Sequence, residues 1–165
     1  MKIRTGFVSN SSSSSFVAGF KTIPRSVEDV KRILFGDDEW YCAPYGDEKY
    51  STERVAETVF GDMKNKRPLT LEEFLKATGD MADIDYDDER FKIKGKKGSY
   101  DATDWDKLYE FKKQESAKMA KEFLEANKDY YFYEFSYADE NGSYESALEH
   151  GGLFDNIPNI RMSHH

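Results

Sequence analysis

The chain of 165 residues sets 32 acidic side chains against 24 basic ones, for a formal net charge of -8. With 34% charged residues and no run near the roughly 20 apolar residues that span a bilayer, it is not a helical membrane protein. Spread along the whole chain, the excess acid repels phosphate backbones and anionic lipid, so neither nucleic acid nor membrane is expected as a partner, whereas basic protein surfaces suit it.

The opening Met1–Phe16 is too polar for a secretory leader. The single cysteine, Cys42, forms no internal disulfide and fits a reducing compartment, so the expected location is cytoplasmic. The length suits one domain over residues 1–165.

Lys2–Val8 alternates in part and reads as a strand. Ser11–Ser15 follow, and Phe16-Val17-Ala18-Gly19-Phe20 is strand-like again, so the serine run is expected to be an ordered loop joining two neighbouring strands. The string Lys2-Ile3-Arg4-Thr5-Gly6-Phe7-Val8-Ser9-Asn10, continued by the five serines and Phe16, resembles a recurring N-terminus of small uncharacterised bacteriophage and prokaryotic proteins. The resemblance covers about a tenth of the chain. It implies a phage or prokaryotic origin and a cytoplasmic setting, and no activity.

Ser26 is a good N-cap for a helix with Val27, Val30, Ile33 and Leu34 on one face, stopped at Gly36. Asp37–Tyr50 reads as a loop. A second helix starts near Ser51 or Thr52 with Val55, Ala56, Val59 and Met63 on one side, and Gly61 is a candidate early end. Thr70 and Glu73 form a capping box for a third helix carrying Leu71, Phe74 and Leu75. Asp80–Asp101 is irregular, acidic first and basic after. The longest helix is predicted from about Asp104 to Ala126, capped by Thr103, with an exposed polar turn at Lys112–Ser116.

Tyr130–Tyr137 is the strongest strand signal. Asn141-Gly142 then predicts a type I′ hairpin whose return strand is Ser143–Glu149. A last strand is expected at Asn159–His164. Segregated strands and helices predict an α+β fold, with a mixed or antiparallel sheet built from N- and C-terminal strands and the helices packed on one face.

Three constellations carry possible chemistry. The hydroxyls and backbone N–H groups of Ser11, Ser12, Ser13, Ser14 and Ser15, with Arg4 nearby, can form an anion nest, although no phosphate-loop pattern is present. Asp83, Asp85 and Asp87 copy the first ligands of an EF-hand loop, but Asp88 stands where glycine is needed and Lys94 where glutamate is needed, so a solvated loop pairing with the following lysines is expected. His150, His164 and His165, with Glu149 or Asp155, are candidate metal ligands, and the terminal pair also matches a tag remnant. The aromatic strand lacks interleaved Lys or Arg and reads as a hydrophobic sheet face. No cofactor is implied. The leading expectation is a non-enzymatic interaction protein that binds a protein partner through an acidic surface. The alternative is a small enzyme or ligand-binding protein using the serine loop and the histidines.

Overall fold

A computed structural model describes residues 13–98 and 100–164. Among them the chain runs β1 (Ser13–Phe20), α1 (Val27–Phe35), β2 (Trp40–Cys42), β3 (Lys49–Ser51), α2 (Thr52–Met63), α3 (Leu71–Ala77), α4 (Trp105–Ala126), β4 (Tyr131–Ala138), α5 (Ser143–His150) and β5 (Asn159–His164). Short 3-10 turns cover Glu89–Phe91 and Asp139–Asn141. The fold is α+β with antiparallel sheets, as the segregated strand and helix signals imply. No helix among the described residues is long and apolar enough to cross a membrane.

The main sheet has the order β4-β1-β5, so the N-terminal strand is clamped between two C-terminal ones. Phe16 stands opposite Phe135 on one side and Arg161 on the other. Side chains alternate across a strand, which splits β1 into two faces. Phe16, Ala18 and Phe20 share a core with Val30 and Leu34 of α1, Val55 and Val59 of α2, and Ala147 and Leu148 of α5. Val17 packs on the other face with Phe132, Ile160 and Met162 against Phe74 of α3 and Ala120 of α4. The helices therefore cover both faces, which corrects the expected one-sided packing. A strand buried on both faces reads as a continuous apolar run, as Phe16–Phe20 does.

Several local signals act as their chemistry dictates. Asp29 N donates to Ser26 Oγ (3.1 Å), and Gly36 takes a φ of 58° to end α1. Thr70 and Glu73 exchange both capping-box bonds. Gly61 lies inside α2 without ending it. The cap of α4 is Asp104, whose Oδ1 accepts from Lys107 N (3.1 Å). Thr103 instead donates to the Tyr86 carbonyl (3.2 Å), tying the preceding loop to the helix start. Ser116, expected in an exposed turn, is buried and accepts from Ala82 N (3.0 Å). Residues 37–50, read as a loop, contain most of the small β2–β3 hairpin.

Two corrections matter for the site. Ser143–His150 is helix α5, not a return strand. Gly142 does take a positive φ, 109°, but it ends a 3-10 turn and opens a helix. Tyr144, Ala147 and Leu148 follow the i, i+3, i+4 spacing of one helical face, and burying that face in the core outweighs the Asn-Gly turn signal. Ser13, Ser14 and Ser15 are the first residues of β1 rather than a connecting loop. Backbone pairing on both sides, to β4 and to β5, satisfies their N–H and C=O groups in a ladder and leaves no turn to make. The expected strand Lys2–Val8, and with it Arg4, Ser11 and Ser12, lies outside the described residues.

Candidate functional site

The described part of the serine run leads to a polar cluster at one end of the sheet. On β1, Ser14 points to the same face as Phe16 and is fully buried. Its hydroxyl donates to Glu149 Oε1 (3.1 Å) and accepts from Arg161 Nε (3.3 Å) and Nη2 (3.2 Å). Arg161 Nη2 also lies 3.2 Å from His150 Nδ1, and His150 Nε2 lies 3.5 Å from Glu149 Oε2. Glu149 has 0% exposure, in a chain where carboxylates normally face water. A buried carboxyl group is costly unless polar partners meet it; the Ser14 hydroxyl donates to Oε1 and the His150 ring lies beside Oε2.

The elements that place these groups are over-determined. Tyr41 on β2 donates from its hydroxyl to the Ala147 carbonyl (2.7 Å), pinning the last turn of α5. Burial, with the Asp155 carboxylate nearby, pushes the Tyr41 phenol above its ordinary range, so it stays a donor. A Cβ on Gly151 would collide with that hydroxyl and with the Ala147 carbonyl, so glycine is required there. Arg161 comes from β5, its guanidinium 5.7 Å from the Phe16 ring centroid. Tyr45 stands edge-on to the His150 ring at 5.7 Å.

Of the predicted anion site, Ser14 is thus committed to Glu149 and Arg161, and a carboxylate beside it opposes an anion. Of the predicted metal ligands, His150 sits at the end of α5, His164 closes β5 opposite Ser13, and His165 lies outside the described residues. The groups that gather round His150 are Glu149 and Asp139, each offering a ligand-type atom within 4.8 Å of the others. Asp139 opens the 3-10 turn between β4 and α5. Reading Ser143–Glu149 as a strand hid this group, because only a helix entered from that turn brings Asp139 back over His150.

A second feature had no sequence signal beyond composition. Trp105 and Tyr109 lie one turn apart on α4, and the excursion between α3 and α4 folds Tyr86 and Tyr100 against them. Ring centroids of Tyr86, Tyr100 and Tyr109 lie 6.2, 4.7 and 6.0 Å from that of Trp105. The three tyrosines are 44%, 68% and 60% exposed. Each ring is next in the chain to a carboxylate: Asp85 and Asp87, Asp101, Asp104 and Asp106, and Glu110. Tyr109 continues into a groove of about 580 Å³ that also contains Asp80, Asp83 and Met162. Lys112 in that groove lies 3.7 Å from Asp80, and the Arg161 guanidinium is turned to Ser14. The lysines Lys92, Lys94 and Lys96 line a different hollow, with Asp87 and Glu89. As expected for the acidic and basic halves of this excursion, Lys92 pairs with Asp87 (2.8 Å).

No family model matches the chain, and comparison with curated proteins and with solved structures gives no match either.

Proposed function

We propose that the chain is an interaction protein that takes a basic segment of a protein partner, rich in arginine or lysine, on the platform of Tyr86, Tyr100, Trp105 and Tyr109. The observation that carries this reading is the gathering of four aromatic rings at the surface with the three tyrosines exposed. Clustered aromatic surface of this kind serves binding more than folding. Its electrostatics select the partner. Between Asp83 and Glu110 acids outnumber bases nine to six, and Asp87 and Asp88 are already engaged by Lys92 and Arg90. A guanidinium or ammonium stacked on an indole or phenol ring gains about 0.5–1 kcal/mol at an exposed site and about 2 when desolvated. Asp83 and Asp101 supply the countercharge. Several such contacts give micromolar to millimolar affinity, suited to reversible capture.

The test uses Trp105 as the reporter, in a Trp40→Phe chain so that the exposed indole of Trp40 is silent. Titration with an arginine-rich peptide should give a saturable, salt-sensitive change in fluorescence, and a glutamate-rich peptide should give none. Trp105→Ala, followed by calorimetry, should weaken binding by about 1–2 kcal/mol, or roughly 5- to 30-fold. No response to the basic peptide, or a response to single-stranded oligonucleotide in its place, overturns the reading.

A further inference from the structure

We propose that Asp139, Glu149 and His150 form a binding site for a divalent transition-metal ion, independent of the aromatic platform. One imidazole and two carboxylates are a donor set for zinc or manganese. Ligand atoms from the three lie within 4.8 Å of one another. Tetrahedral zinc holds nitrogen and oxygen ligands at about 2.0–2.2 Å, so ligands on one ion stand about 3.3–3.6 Å apart, the spacing that His150 Nε2 and Glu149 Oε2 already have at 3.5 Å. Asp139, which sits half-buried on a short turn, completes the set by closing to the same spacing. Glu149 needs no movement of its backbone, since α5 is pinned by Tyr41. Three protein ligands leave a further position for water or an exogenous group.

The surrounding groups give the site a distinctive behaviour. When Arg161 donates to His150 Nδ1, that nitrogen is the ring's acceptor, and the proton sits on Nε2, facing Glu149 Oε2 at 3.5 Å. A metal ion bound at Nε2 requires the other tautomer, with N–H at Nδ1. The proton moves from one ring nitrogen to the other, and Nδ1 can no longer accept from Arg161. Metal binding and the Arg161–His150 hydrogen bond therefore exclude one another. A guanidinium beside a dication also opposes it directly. Arg161 is then a gate on affinity, and replacing it with a neutral group that accepts from Nδ1–H should strengthen the site, because an acceptor behind a ligating histidine raises its basicity.

The experiment is calorimetric titration of the full chain with zinc chloride. The expected result is one saturable equivalent, weakened at least about tenfold in His150→Ala and in Asp139→Ala, and unchanged when His164 and His165 are both replaced by alanine. Arg161→Gln should bind zinc more tightly than the parent. Absence of saturable binding, binding that survives His150→Ala, binding lost with the terminal histidines, or weaker binding in a folded Arg161→Gln chain each overturns the proposal. Circular dichroism of every variant separates loss of the site from loss of the fold.

Discussion

The sheet end and the aromatic platform invert the ordinary partition of side chains in opposite senses. At the sheet end, a glutamate is wholly buried and held by Ser14 and His150. At the platform, large aromatic rings that would stabilise a core stand in water around Trp105. The first arrangement costs desolvation and recovers it through hydrogen bonds inside the protein, so its groups are tied to stability. The second leaves hydrophobic area unburied, and that area is available to a partner. The buried carboxyl and the exposed aromatics thus differ in what a substitution should reveal: one acts on folding, the other on binding.

The largest effect that would sharpen this contrast is at Glu149. Glu149→Ala removes a buried side chain and leaves the Ser14 hydroxyl without its acceptor, and should cost about 2–4 kcal/mol in urea denaturation. A midpoint equal to the parent's would break the contrast. Ser14→Ala removes less apolar volume but leaves Glu149 Oε1 without its donor, and should cost about 1–3 kcal/mol. Tyr100→Ala should change stability by under about 0.5 kcal/mol while reducing affinity for the basic peptide several-fold. A large loss of stability there would make the platform a structural cluster.

The smallest effect is at a charged group belonging to neither region. Glu73 accepts two hydrogen bonds from Arg67 (both 2.8 Å) and one from Thr70 N (2.8 Å). Arg67, then the Thr70 backbone, hold its carboxyl down to about 2 from an ordinary 4.5. A depressed carboxylate adds stability that is fully present above its unfolded value and is lost as pH falls from about 4.5 towards 2. Being fully exposed, it should contribute little to global stability. Its titration by NMR should show a midpoint near 2, moving up in Arg67→Ala.

Helix ends were the most legible features of the chain. Ser26, Gly36, Thr70 and Glu73 act through bonds to residues three or four positions away, so the local sequence contains the whole mechanism. The bounds of β5 were legible as well, since Pro158 and the following residues mark a strand start. What failed was non-local. Five serines carry no hydrophobic alternation, so nothing in Ser13–Ser15 announces that Ser14 meets a glutamate 135 residues away. Asn141-Gly142 is a real turn signal, but the choice of helix after it is made by the core that receives Ala147 and Leu148. The grouping of Asp139, Glu149 and His150 depends on that choice and was hidden with it. The aromatic platform was hidden differently: Trp105 and Tyr109 fall at helical spacing within the predicted Asp104–Ala126 helix, and exposure cannot be read from periodicity alone.

The position of β1 has a consequence for the order of synthesis. It is the first described strand to leave the ribosome, yet both its neighbours, β4 and β5, lie within residues 131–164. Phe16 waits for Phe135 while four helices are made, and for Arg161 while a fifth is added. A sheet closed by such distant segments has high contact order, and folding through it is slow relative to helix formation. In the interval the apolar run Phe16–Phe20 is without its lateral partners and open to intermolecular pairing, the usual hazard for an unpaired strand. The nascent chain therefore completes this sheet only when β5 pairs with the far edge of a strand made well before it.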